Sequence, residues 1–207
     1  MVNDGRQAPY STGMTMYELA EVMLDLGCVW AGHLDGGGSC TYASKAEGSD
    51  EFKITNSPSD GSERSISNGL IIVSTDVPSY EFDRVSYTVE NENITPGTSI
   101  SVDTVGVSST GHSADIPEDI TYVVENGTYA DGVFTAGDEL GTATITAMYN
   151  GNAVGTTSIN VVLPDKIAFS STEITVPYGK TVALEIAATL DVKNVKVKPE
   201  DFTFTFK

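Results

Sequence analysis

The chain is short of positive charge. Its 207 residues include 11 Lys and Arg against 29 Asp and Glu, a formal net charge of −18. Nucleic-acid binding needs a basic footprint to meet the phosphates, so that class is excluded. Cysteine is nearly absent: Cys28 and Cys40 form no C-x-x-C pair, and two thiols alone do not make a zinc site. There are two histidines, and they form no His-rich metal motif. No apolar run reaches the roughly 20 residues of a transmembrane helix, so no membrane span is expected. The opening MVNDGRQAPYSTG has neither a basic nor an apolar leader region, so it is not a signal peptide. No G-x-S-x-G elbow and no EF-hand spacing occurs, and the glycine run at 36–38 is not followed by the lysine of a phosphate-binding P-loop.

What remains is enough for packed structure, since 40% of the residues are apolar. The acidic charge is uneven. Counting acidic then basic residues, 1–75 holds 10 and 4, 76–163 holds 13 and 1, and 164–207 holds 6 and 6. A strongly acidic middle suits a solvated spacer, and it leaves a divalent cation open as a ligand; no other cofactor is expected.

Residues 14–27 read MTMYELAEVMLDLG. Thr15 and Glu18 have the T-x-x-E spacing of a capping box, and Met14 with Leu19 forms a hydrophobic staple. Leu19, Met23 and Leu26 fall on one helical face, and Gly27 stands where a left-handed stop is wanted. The spacing predicts a helix of about three turns. The short apolar run 28–34 then predicts a buried strand, and Leu70 to Val73 predicts another, buried on both faces. The polar stretch 43–65 reads as a long loop.

Between the first strand and that loop stands HLDGGGSCT. Three consecutive glycines are costly to order. A floppy linker and a tight loop compete as explanations, and a linker does not normally start directly off a buried strand. The tight loop is therefore expected. Asp35 then lies at the strand's C-terminal end, where ligand groups gather in sheets with helical cover. Cys28 and Cys40 bracket the loop; a local disulfide is possible there, and two unpaired buried thiols are the expectation.

From Asp76 onward the pattern changes to short alternating runs punctuated by Gly, Asn, Asp or Pro, such as Ala143 to Tyr149. About seven strands in roughly ninety residues predict a β-sandwich. Tyr149-Asn150-Gly151-Asn152 offers an Asn-Gly hairpin turn. A third segment, 164–207, starts at Pro164-Asp165; its Pro177-Tyr178-Gly179-Lys180, before an alternating run, echoes Thr95 to Ser99, and it ends in a strand-like Phe202 to Phe206. It is too short to close a sandwich by itself.

The succession DGRQAPYSTGMTMYELAEVMLDLG, then LDGGGSCTY, then NSPSDGSERSISNGLIIV resembles the C-terminal part of phosphodiester glycosidase domains. The resemblance covers about residues 1–75. The middle segment resembles bacterial Ig-like modules through NGTYADGVFTAGDELGTATITAMYNG and the strand that follows. The expected fold class is thus an α+β partial glycosidase domain (1–75), an all-β Ig-like sandwich (76–163) and an incomplete second Ig-like module (164–207). The family's domain is more than twice the length of the matching part, so the chain is expected to be a fragment of a longer secreted protein. The signal peptide would lie upstream, and the protein would act outside the cell or at its surface.

The resemblance implies an enzyme that hydrolyses a sugar-1-phosphodiester or related glycoconjugate, with a cell-wall polymer as an open second partner. Asp35 is the expected catalytic carboxylate, because an oxocarbenium-like state needs one near the anomeric carbon. The competing view of Asp35 is a residue that caps its own turn. Gly36, Gly37 and Gly38 would let backbone amides approach sugar or phosphate oxygens, and Ser39 would add a hydroxyl. Arg6 is the expected phosphate partner, against a plain surface pair with Asp4. Asn56 and Arg64 would shape the substrate pocket or lock the loop. His33, two residues before Asp35 and so on the same face of the expected strand, could serve as acid or base, but it and Cys40 depart from the family pattern, and a satisfied core histidine is the expectation for His33; His112 is expected in solvent. The alternative is a non-catalytic surface protein that carries a degenerate glycosidase remnant.

Overall fold

A computed structural model describes residues 1–169, 175–176, 178–179, 181 and 186–203. The chain falls into two compact bodies, Met1–Val77 and Pro78–Lys207. Segments 76–163 and 164–207 thus share the second body almost entirely.

In the first body, helix α1 spans Met16–Asp25. Its start is built as the spacing predicts. The Glu18 amide donates to Thr15 Oγ1, and the Thr15 amide donates to Glu18 Oε2 at 2.7 Å. At the other end Gly27 takes φ +79°, and the Gly27 and Cys28 amides donate back to the Leu24 and Met23 carbonyls. That wrap is the left-handed helix stop that glycine permits. No residue of α1 is fully buried; Leu19, Val22 and Met23 are half-buried, while Leu24 and Leu26 are exposed. Among the described residues no helix is long and apolar enough to cross a membrane.

Two expected strands do not form. Residues 28–34 and 68–74 have no ladder partner, and Val29, Trp30, Leu34 and Leu70 to Val73 are all exposed. Extended apolar backbone becomes a strand only when a neighbour takes its amides and carbonyls. The first body offers none to these segments. Its one hairpin is instead drawn from the stretch read as a loop: β1 (Ala43–Lys45) pairs antiparallel with β2 (Phe52–Ile54). A turn at Ala46 to Ser49 joins them, with Gly48 at φ +69°.

The second body holds β3 (Phe82–Val89), β4 (Asn93–Ile94), β5 (Ser99–Ser108), β6 (Ser113–Ala114), β7 (Thr121–Glu125), β8 (Gly127–Ala130), β9 (Val133–Ala136), β10 (Gly141–Tyr149) and β11 (Asn152–Val161). One sheet runs β4-β11-β10-β7; the other runs β3-β5-β9-β8, with β6 on β5. Ile94, Ala143, Ile145, Ile159 and Val161 come from the first sheet. They pack against Ile100, Val102, Phe134 and Ala136 from the second, and most are fully buried. The layering is that of a sandwich, and β10 shows why: Ala143, Ile145 and Ala147 point in while Thr142, Thr144 and Thr146 point out. Tyr149 pairs with Asn152 around Asn150 (φ +50°) and Gly151 (φ +77°), the two-residue turn expected of Asn-Gly. His112 is half-buried beside Tyr80, with ring centroids 4.9 Å apart, rather than in solvent.

A smaller sheet follows: β12 (Lys166–Phe169), β13 (Ile186–Leu190) and β14 (Lys193–Asn194), in that order. It is tied to the sandwich through Lys196. Lys196 bridges Ile94 in parallel, its amide donates to the Asn93 carbonyl at 2.9 Å, and its ammonium pairs with Glu90. Pro177 and Lys180 of the Pro-Tyr-Gly-Lys echo and the end of the Phe202 to Phe206 run lie outside the described residues.

Candidate functional site

The expected site residues converge on the glycine turn. Gly37–Ser39 forms a single 3-10 turn, closed by the Cys40 amide donating to the Gly37 carbonyl. Gly37 has φ +66°, a conformation that suits glycine, and Gly38 is buried. The run is therefore a tight turn and not a linker.

Arg6 reaches it from a loop near the N-terminus. Gln7 and Ser11 pair across that loop, Ser11 Oγ donates to the Asp4 carbonyl at 2.6 Å, and Gly5 and Gly13 touch backbone to backbone. A Cβ at Gly37 would lie 2.9 Å from Arg6 Nη1, so the guanidinium rests on the turn itself. Asp4 does not serve as its surface partner. The Asp4 carboxylate accepts from the Ser57 amide, from Asn56 Nδ2 at 3.0 Å and from the Tyr10 hydroxyl at 3.0 Å. The Ser57 amide and the Asn56 side chain hold its carboxyl below the usual carboxylate range, and the hydrogen bond that Tyr10 donates to Asp4 raises Tyr10.

The second motif clamps the turn from its other side. Arg64 donates twice to Asp60 Oδ2, at 2.9 and 2.6 Å, and once to Ser39 Oγ at 3.2 Å. The Asp60 carboxylate lies over Gly38, where a Cβ would come within 2.2 Å of it. Asn56 donates to the Cys40 carbonyl at 2.9 Å and accepts from the Tyr42 amide at 2.7 Å. Asn56 and Arg64 thus both bond to the 39–42 stretch at the end of the glycine turn.

Asp35 stands at the open lip. It is exposed, and its Oδ1 accepts from the Gly36 amide at 3.0 Å, the turn-capping contact that its position also predicts. His33 is exposed and so is not a core histidine; its Nε2 lies 4.0 Å from where a Gly36 Cβ would be. Because 28–34 is not a strand, this proximity comes from the turn and not from a shared strand face. Cys28 and Cys40 are both free and half-buried. Among the described residues no group of three or more His, Cys, Asp or Glu converges as a metal site would.

Sequence reasoning missed Asp4, Ser57 and Asp60 as the parts that hold the site together. Asp60 had a local signal, since an acid four residues before Arg64 is a favourable pair. Asp4 had none beyond its place in the DGR triplet.

The arrangement is a backbone-rich turn with a guanidinium on it and a carboxylate at its edge, and such a combination suits an anionic, hydroxyl-bearing ligand. Residues 1–73 match the family model for phosphodiester glycosidases. No curated protein and no solved structure matches the chain.

Proposed function

We propose that the first body is part of a secreted bacterial phosphodiester glycosidase that hydrolyses a sugar-1-phosphodiester or related glycoconjugate. The sandwich and the sheet after it would be Ig-like spacer or attachment modules. The observation that supports this reading best is the Arg6 guanidinium lying on Gly37, two residues after Asp35 in the chain.

The chemistry follows from the bond that breaks. Water adds to the anomeric carbon, the bond to the phosphate oxygen cleaves, and the products are a free sugar and a phosphomonoester. A phosphate leaves with little protonation, so the larger need is charge stabilisation on the leaving side. Arg6 and the amides of Gly36 to Gly38 are suited to that, with Ser39 as a further donor. Asp35 would act at the anomeric side, as base or as electrostatic partner of the oxocarbenium-like state. Asn56 and Arg64 would hold the turn in register for both. The exposed apolar residues at 29–34 and 70–73 support a domain that further polypeptide completes, so this chain alone should turn over little substrate.

A second reading keeps one observation of its own. The Asp35 carboxylate is engaged by its own turn, as it would be in a non-catalytic surface protein with a glycosidase remnant. The test is hydrolysis of a chromogenic glycosyl phosphodiester by this chain and by a form extended with its own upstream sequence. The extended form should be active, and Asp35→Asn should lower its rate by about 10²-fold or more with folding intact. Equal, robust activity in both forms would refute the incomplete-domain reading. An unchanged rate in Asp35→Asn would remove Asp35 from the mechanism.

A further inference from the structure

A cleft of about 330 Å³ opens where the sandwich meets the turn between β13 and β14. Its floor is a row of neighbours, one from each of three strands. Thr142 on β10 faces Asn160 on β11, and Asn160 faces Asn93 on β4. Asn160 Nδ2 donates to Asn93 Oδ1 at 3.1 Å, which fixes both amides and leaves a donor and an acceptor between them for a ligand. The far wall is Leu190, Asp191 and Lys193.

The lining chemistry narrows the ligand. Asp191 and Lys193 cancel, so the cleft lining is neutral; on one side of it lies segment 76–163, with 13 acidic residues and one basic residue, and on the other segment 164–207, with 6 of each. A polyanion would meet that surrounding field, and a cation would find more favourable sites elsewhere on it. No lining residue is aromatic, so a nucleobase has no stacking platform. Hydroxyl, amide and charged groups dominate, which suits many hydroxyls and excludes a lipid chain. The volume falls in the range of about 300–1,000 Å³ usual for small-molecule sites, at its lower end. The row itself is linear, with a step of about 4.8 Å between strands, close to the advance per ring of an extended polysaccharide.

The turn between the lining residues Leu190 and Lys193 carries a further sign of use. Val192 sits at φ +65° with 96% of its surface exposed, in a two-residue turn that would favour glycine. A β-branched residue there is strained and gains nothing from burial. An apolar contact to the C–H face of a sugar ring would give that side chain a partner.

We propose that this cleft binds a neutral polysaccharide, laid along Thr142, Asn160 and Asn93 with Val192 against a ring face. The inference is independent of the glycosidase reading, because retention needs no turnover. Affinity electrophoresis of the full chain tests it, in gels holding a neutral β-glucan, a galactomannan or glycol chitin, with polygalacturonate as the anionic control. Retardation is expected in at least one neutral polymer. Asn160→Ala and Thr142→Arg should weaken it at least tenfold. Val192→Gly should also weaken it while the melting temperature stays equal or rises, which separates binding from folding even if the other variants are unstable. No retardation in any neutral polymer, retardation in polygalacturonate alone, or equal retardation in Val192→Gly would each overturn the proposal.

Discussion

The carboxylate of Asp60 occupies the space that a side chain on Gly38 would fill, with all three of its terminal atoms within 2.3 Å of an added Cβ. Gly38 is buried, and Asp60 is held in place by two bonds from Arg64. Gly38→Ala must therefore swing Asp60 away and release Arg64 from Ser39. We expect this substitution to destabilise the first body by about 1–3 kcal/mol, the usual cost of overpacking. In a double-mutant cycle, Asp60→Ala should relieve much of that loss. Hydrogen exchange at residues 36–42 and 56–60 reads both effects. Additive losses would show that the two residues do not share the space.

Asp4 predicts an acid-sensitive site. Its folded pKa lies below the usual carboxylate value, through the Ser57 amide and then Asn56. A depressed carboxylate contributes stability above its unfolded pKa, and that contribution is lost as pH falls through the folded value. Protection of the Ser57 amide should hold at neutral pH and fail as the solution is acidified below the ordinary aspartate range. In Asp4→Asn that protection should already be weakened at neutral pH, with little further dependence in the acid range. A Ser57 amide equally protected at neutral and acid pH in the unaltered chain would contradict this.

Gly151 sets the hairpin between β10 and β11. It sits at φ +77° with Asn150 at φ +50° before it, and the register there runs through Tyr149 and Asn152. Gly151→Ala puts a side chain in the left-handed region, at about 1–2 kcal/mol. The sandwich's thermal midpoint should fall while Met1–Val77 keeps its exchange pattern. An unchanged midpoint would mean that the turn relaxes at no cost.

Lys196 joins the third segment to the sandwich by backbone and by charge. The backbone bonds to Asn93 and Thr95 survive a side-chain change, and the ion pair with Glu90 is partly exposed. Lys196→Ala should thus cost at most about 1 kcal/mol. Lys196→Pro removes the amide that Asn93 accepts from, and it should cost clearly more. Glu90 is held below its usual value first by the Lys196 hydrogen bond and then by the Ser101 amide. The part of stability due to Lys196 should therefore be present above the unfolded glutamate pKa and fade on acidification. Denaturant melts of the alanine and proline variants at neutral and acid pH separate the two contributions.

The features written locally were the legible ones. The Thr15–Glu18 box, the Gly27 stop and the Asn150-Gly151 turn each depend on residues within a few positions of one another, and each forms as its spacing predicts. The inward alternation of Ala143, Ile145 and Ala147 was equally readable, because it has a sheet to lie in. Residues 28–34 and 70–73 carry the same kind of apolar signal and form no strand. Composition states what a segment would bury, and only a partner decides whether it does. The site divides in the same way. The tight glycine turn was readable from its place in the sequence, and Arg6 was named through the family resemblance. The ties that place them, Asp4 to Ser57 and Asp60 over Gly38, span about 22 to 53 residues of chain, beyond the reach of spacing rules.

The exposed apolar surface of Trp30, Leu34 and Ile71 to Val73 has a colloidal consequence. It is sticky, yet it belongs to a molecule whose like charges keep copies apart in dilute buffer. Mobile ions shorten the range of that repulsion to about 8 Å at physiological ionic strength and leave the apolar attraction in place. Added salt, rather than heat, should be what first drives this protein to clump and to light up a hydrophobic dye.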